Sequence, residues 1–318
     1  MNLFIDTNIF LSFFHYSKED LEELKKILVL IERKKVHLYL PTQVVDEFRR
    51  NRESKILDAL RTLRNNSSGG FPQICIQHPE FKKLQLAFEK YQQIKSRLIE
   101  EMETSLKEET FDADKLINEL FGKSERIDCL PPLFSRAEQR VKSGNPPGKA
   151  GSYGDAVNWE SLMARLKNGE DLYVISNDSD YASLNDTNEI SPFLKNEWLV
   201  TKHSAVYLFT SLSKFFANKF PQIKLAAELT KELVVQDLAT SRSFADTRKV
   251  LLELAKFSEF TDEQLNELIR IATTNKQVSW IIRDEDIKQF FKALITGKEK
   301  RIEKPLLEEL TRLWDKAD

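Results

Sequence analysis

Two rhythms of hydrophobic and polar positions alternate along the first two thirds of this chain. Short, solid apolar runs stop at polar clusters. Longer stretches carry an apolar residue every three or four places. The short runs are Leu3 to Ile5, His37 to Leu40, Asp171 to Ile175, Trp198 to Thr201 and Ala205 to Phe209. Each predicts a buried strand, and Pro41 stops the second one sharply. The longer rhythm predicts helices. Leu21, Leu24, Ile27, Leu28 and Ile31 mark one, and Val44, Val45 and Phe48 begin another that runs to about Asn65. Charged helices follow over 81–107 and 112–121, before a break at Pro131 and Pro132. A helix with Leu212, Phe215 and Phe216 ends before Pro221. Ser17 to Asp20 reads as a capping box with Asp in the Glu place, and Thr42 as the cap of the second helix. Residues 65–70 and 143–154 read as loops from their Asn, Ser, Gly and Pro content.

From about residue 222 the pattern changes, and no further strand is predicted. Helical runs over 225–238, 245–257, 262–273, 284–296 and 305–314 predict a separate all-helical domain, with Thr261 and Gln264 as a capping box.

Composition narrows the class. The chain has 318 residues, enough for one large or two ordinary domains. With 41% hydrophobic and 31% charged residues it reads as folded and globular, not disordered. The 48 basic and 50 acidic residues leave a net charge of -2, which excludes a wholly basic surface and leaves room for a local basic groove. Cys75 and Cys129 are too few for a disulfide scaffold and lack metal-motif spacing, so a reducing, cytoplasmic setting is expected. No secretory leader pattern, membrane-length run, repeat or low-complexity segment is read in the chain.

Four acids stand out, three of them where elements begin or end. Asp6 closes the first strand, and Glu47 lies in the second turn of its helix. Asp155 opens a helix behind the Gly-rich loop, and Asp178, with Asp180 two residues on, follows the 171–175 strand. Ligands in open α/β sheets bind at the carboxyl ends of strands. Each acid also has an ordinary structural use: Asp6 as a cap, Glu47 as a solvated helix residue, Asp155 as a first-turn acid, Asp178 and Asp180 as turn residues. Carboxylates gathered at one edge repel each other unless a cation neutralises them. Oxygen donors without His or Cys favour Mg²⁺ or Mn²⁺ over Zn²⁺. Such an ion activates water and stabilises in-line attack at phosphorus, the logic of a phosphodiesterase. Arg49, Arg50 and Arg52 follow Glu47, and Lys149 precedes Asp155; all four are candidates for backbone phosphate contacts, with a solvated face as the alternative. Tyr153 is expected to pack under its loop, with base stacking as the alternative. The four histidines show no clustered spacing and receive no role.

Residues 4–10, centred on Asp6, Thr7 and Asn8, resemble the opening of PIN-domain nucleases. Val45 to Phe48 is similar to the second acidic motif of that family, Gly154 to Ala156 to the third, and Ile175 to Asp178 to the fourth. The resemblance covers roughly residues 1–215. It implies an α/β, PIN-like three-layer fold with a mainly parallel central sheet and a helical insertion over about 70–145; with the change of pattern near residue 221, the chain is expected to divide into this unit over 1–220 and a C-terminal all-helical domain over 221–318. It implies that Asp6, Glu47, Asp155 and Asp178 are the catalytic acids that hold Mg²⁺ or Mn²⁺, with Asp180 as an auxiliary ligand and Asn8 and Ser176 ordering the site. The implied activity is metal-dependent phosphodiester hydrolysis by an endoribonuclease; the family, not the composition, favours RNA over DNA. The 108 residues from Glu47 to Asp155 exceed the spacing of compact toxin-type members and resemble that of larger bacterial members with an insertion. A structure-specific DNA nuclease and a non-catalytic nucleic-acid-binding or scaffold protein remain the alternatives. A phosphatase with Asp6 as nucleophile usually needs a second acid two residues on, where Asn8 stands. The C-terminal domain is a candidate for oligomerisation, a protein partner or substrate selection. No membrane partner is expected.

Overall fold

A computed structural model describes residues 1–14, 20–65, 71–148, 152–221, 223–257 and 259–315. The chain forms two compact units, Met1–Gln222 and Ile223–Asp318.

The first unit is built on five parallel strands: β1 (Asn2–Ile5), β2 (His37–Pro41), β3 (Glu125–Ile127), β4 (Leu172–Ile175) and β5 (Val206–Phe209), in the spatial order β3-β2-β1-β4-β5. β1 is central, and Leu3, Phe4 and Ile5 are fully buried, as expected of a parallel strand covered on both faces. Its helices are α1 (Thr7–Ser12), α2 (Leu21–Glu32), α3 (Thr42–Asn65), α4 (Phe81–Glu108), α5 (Asp112–Lys123), α6 (Pro131–Lys142), α7 (Gly154–Arg165), α8 (Pro192–Lys202) and α9 (Leu212–Lys219). α2 packs on α5 and α9, whereas α7 packs on α6 and, through the Trp159–Trp198 ring contact, on α8. The chain moves from β1 to β2 and β3 on one side, then returns to β4 on the other. This makes the β1–β4 boundary a topological switch point, where the connections diverge and leave a crevice at the strands' carboxyl ends.

The structure departs from the sequence expectations in several places. Residues 198–201, expected as a strand, are the last turns of α8. Trp198 is buried while Leu199 and Val200 are exposed, so the run shows a helix face. Pro192 at the first helical position is the start signal for that helix. β3 lies inside the stretch 70–145 expected as a helical insertion. Only three residues long, with Glu125 and Arg126 in it, it carries no readable alternation. In that same stretch α5 packs on α2 and α6 on α7, so much of it belongs to the layers around the sheet. Thr42 does not cap α3; it is the first helical residue, and its Oγ1 accepts from the Cys129 amide at 3.2 Å. Asp20 caps α2 by accepting from the Glu22 amide at 3.0 Å, while Ser17 lies outside the described residues, as do 66–70 of the predicted loop.

The second unit contains α10 (Ala226–Ala239), α11 (Phe244–Leu254), α12 (Asp262–Thr274), α13 (Lys276–Ile281), α14 (Glu285–Ile295) and α15 (Lys304–Asp315) around a core that includes Val234, Leu251, Leu268 and Phe291. The Thr261–Gln264 capping box forms in both directions, at 3.1 and 3.2 Å. The short helix α13 is the element that the apolar spacing did not predict. Among the described residues no helix is long and apolar enough to cross a membrane.

Candidate active site

Register brings the first and fourth acidic motifs together. Ile5 pairs with Ile175, and the Asp6 amide donates to the Ile175 carbonyl at 2.9 Å. The next residues, Asp6 and Ser176, therefore meet at the switch point. Asp6 caps α1: its Oδ1 accepts from the Thr7 amide at 2.7 Å. Its Oδ2 accepts from Asn8 Nδ2 at 2.8 Å and from Ser176 Oγ at 2.6 Å. The same Ser176 Oγ accepts from the Asp178 amide at 3.1 Å. Asp178 Oδ1 accepts from the Asp180 amide at 2.9 Å, and Asp180 Oδ2 from the Gly148 amide at 3.3 Å. The capping and turn uses of Asp6, Asp178 and Asp180 are thus real, and they fix these carboxylates in place.

Glu47 and Asp155 arrive on two helices that meet closely. At Gly154 a Cβ would lie 3.1 Å from Gln43 Nε2 and 3.2 Å from Glu47 Oε2. Glycine there lets the start of α7, with Asp155 in its first turn, approach α3. Pro146, ahead of α7, is held by Arg140 of α6, which donates to its carbonyl at 2.6 Å and pairs with Glu160 and Glu197 at 2.7 and 2.6 Å.

The acids lie within one another's field. Burial is the main force pushing the Asp6 carboxyl up, to about 7, against the Ser176 and Thr7 hydrogen bonds that hold it down; Glu47 and Asp178 add to the rise. Burial likewise pushes Asp155 up, to about 8, followed by the charges of Asp6, Asp178, Glu47 and Asp180. Tyr181 is fully buried and donates to the Asp155 carbonyl at 3.5 Å; burial and the same acids raise its hydroxyl well above the ordinary tyrosine range. Among the described residues no basic side chain pairs with Asp6 or Asp155. Asn8 Oδ1 and Thr7 Oγ1 are buried beside Asp6 without a hydrogen-bond partner.

The structure thus groups Asp6, Glu47, Asp155, Asp178 and Asp180 electrostatically, with Asn8 and Ser176 bound to Asp6. Among the described residues no three His, Cys, Asp or Glu side chains are drawn into a cage around one point. A Mg²⁺-type site needs no such cage, because the ion binds through one or two carboxylates and keeps several waters. The donor chemistry, the mutual repulsion and the orphaned Asn8 acceptor fit a divalent cation of that type. Arg52 is not available to a phosphate. It is buried and bidentate to Asp114, at 2.6 and 2.5 Å, and also donates to the Leu106 carbonyl. Arg49 and Arg50 are exposed just beyond Glu47. Lys149 lies outside the described residues. Tyr153 is 41% exposed, not packed under its loop. Sequence reasoning passes over Gln43 and Tyr181. Gln43 shares a helix face with Glu47 by its i, i+4 spacing; nothing in the sequence signals Tyr181.

A PIN-domain family model matches residues 3–181. The chain belongs to the PIN-domain family, and membership points to a nucleic-acid-binding, metal-dependent nuclease in general. No curated protein and no solved structure gives a match.

Proposed function

We propose that this protein is an endoribonuclease in which Asp6, Glu47, Asp155 and Asp178 hold Mg²⁺ or Mn²⁺ and Asp180 assists. The observation that carries the reading is the buried Asp6 and the half-buried Asp155 lying within the field of the other acids, neither paired to a base among the described residues. When bound, the ion supplies the positive charge that neutralises these acids and an activated water for attack at phosphorus. The chain's own residues do the rest. Ser176 and Asn8 hold Asp6, and Ser176 links it to the Asp178 turn. Gly154 lets Asp155 approach Glu47. Arg49 and Arg50, exposed on α3 next to Glu47, contact the backbone phosphates of the substrate. The unit over 223–318 serves as an accessory domain for substrate selection or partner docking. The two free cysteines fit a reducing, cytoplasmic setting.

The test is cleavage of labelled single-stranded RNA, structured RNA and matched DNA with Mg²⁺, Mn²⁺ or EDTA. RNA cutting that needs the ion and falls at least about a hundredfold in Asp6→Asn and Asp155→Asn is the expected result. Cutting that survives EDTA, or variants as fast as wild type, sinks the reading. Cutting of DNA alone would replace RNA as the substrate.

A further inference from the structure

An aromatic pair stands on the surface of the second unit. Trp280 of α13 is 69% exposed and Phe244 of α11 is 42% exposed, with their ring centroids 6.1 Å apart. The core does not use them: Val278 and Ile281 turn inward from α13, and Thr247, Leu251 and Leu254 from α11. Trp280 differs in this from the other three tryptophans. Trp159 and Trp198 are fully buried, and Trp314 packs against the core of the second unit.

Asn275 brings two cations to the same place. Its Nδ2 donates to the Leu238, Ala239 and Ser241 carbonyls, at 3.1, 3.0 and 3.3 Å, and so fixes the turn before α11 to the start of α13. Arg242 follows Ser241 and Lys276 follows Asn275, so both leave the backbone beside this clamp. Lys276 also stands four residues before Trp280, which sets the two on one face of α13. Both cations are exposed, and neither is paired with an acid among the described residues. The acids near them in the chain are engaged elsewhere. Asp246 accepts from Ser243 Oγ, Asp284 and Asp286 pair with Arg248, and Glu285 accepts from Gln289.

We propose that this face binds single-stranded nucleic acid, with a base stacked on Trp280 and neighbouring phosphates met by Arg242 and Lys276. Every unpaired base offers a ring face and every link a negative charge, so an open indole with unpaired cations beside it suits a strand of any sequence. The rings have no aliphatic row next to them that would suit an apolar helix. The next exposed large apolar side chain of α11, Leu252, lies eight residues on from Phe244. The inference gives the accessory role of the 223–318 unit a ligand and rests on nucleic acid being the substrate of the first unit.

The full chain is tested in EDTA, so that binding is read without cutting and without the ion. Oligouridylate and oligothymidylate of about 12 nucleotides are titrated against tryptophan emission, and labelled copies against anisotropy. Binding that quenches the emission is expected. Trp280→Ala weakens binding at least about fivefold, the low end for one stacked base. Trp280→Phe keeps the affinity within about threefold and loses the quenching, which unfolding of the unit cannot mimic. Arg242→Ala with Lys276→Ala reduces the salt slope by about 1.4. A chain that binds neither oligonucleotide, binding that leaves the emission unchanged, or Trp280→Ala protein that binds as tightly as wild type overturns the proposal. So does emission that changes with protein concentration alone, which marks the face as covered by a second copy. No arm uses cutting or the ion, so failure of the nuclease reading and failure of this proposal are told apart.

Discussion

The first unit buries acid in two ways. Asp114 on α5 is buried against Arg52 of α3, whose guanidinium grips both its oxygens. Asp6 is buried as deeply, but its donors are an amide, a carboxamide and a hydroxyl, all neutral. The first acid is buried with its own counter-charge, the second with none among the described residues. At α3–α5 the chain supplies its own counter-charge. At the β1–β4 switch point Asp6 receives only neutral donors among the described residues.

Mutations that remove one partner from each centre should separate the two. Asp114→Ala leaves Arg52 buried and unpaired, and should cost about 3–5 kcal/mol in denaturant unfolding of the first unit. Asp6→Asn in metal-free protein should cost less than about 1 kcal/mol or stabilise, because it removes a desolvated charge. Equal losses for the two would mean that Asp6, like Asp114, is held by a charged partner. The next largest effect concerns pH. Asp6 and Asp155 titrate above the ordinary 3.8 in the folded protein, so the native state holds more protons than the unfolded chain between about pH 4 and 8. Stability of the metal-free protein should therefore fall as pH rises through that window, by a few kcal/mol in all. Mg²⁺ or Mn²⁺ should raise the melting temperature more at pH 8 than at pH 5. A flat profile, or one that rises, contradicts the raised carboxyls. Ser176→Ala should act mainly on activity, roughly 10–100-fold, with a stability loss near about 1 kcal/mol, since it frees Asp6 and the Asp178 turn from each other. Smallest of all, Arg50→Ala should weaken binding of single-stranded RNA to Asp6→Asn protein and reduce the salt slope by about 1; Arg52→Ala should show its effect in unfolding instead.

The same contrast explains what the sequence made legible. Three of the four candidate acids stand out in the sequence because they lie at element boundaries where packing gives a weak reason for them, whereas Glu47 lies inside its helix and stands out only through the family resemblance. Asp6 and Asp178 follow solid apolar strands, and Asp155 follows a glycine. The central strands were readable because burial on both faces demands unbroken apolar runs. β3 was not, since a three-residue edge strand with Glu125 and Arg126 needs neither run nor alternation. Residues 198–201 misled because four apolar or neutral residues fit a helix turn as well as a strand. Arg52 was indistinguishable from Arg49 and Arg50, because its partner Asp114 lies 62 residues away and no local pattern announces the pair. Tyr181 was silent for the same reason: its role comes from the fold around Asp155 and not from its neighbours.

The bond from Ser176 to Asp6 spans 170 residues of chain. During synthesis at about 5–20 residues per second, Asp6 is made roughly 10 to 30 s before its partner. In that interval β1 can pair with β2 but not with β4, so its other edge has no strand to bond. The acidic centre therefore cannot close on a nascent chain until β4 has emerged. A ribosome-bound fragment ending before residue 172 would carry three of the four acids and still lack the strand that sets them in register.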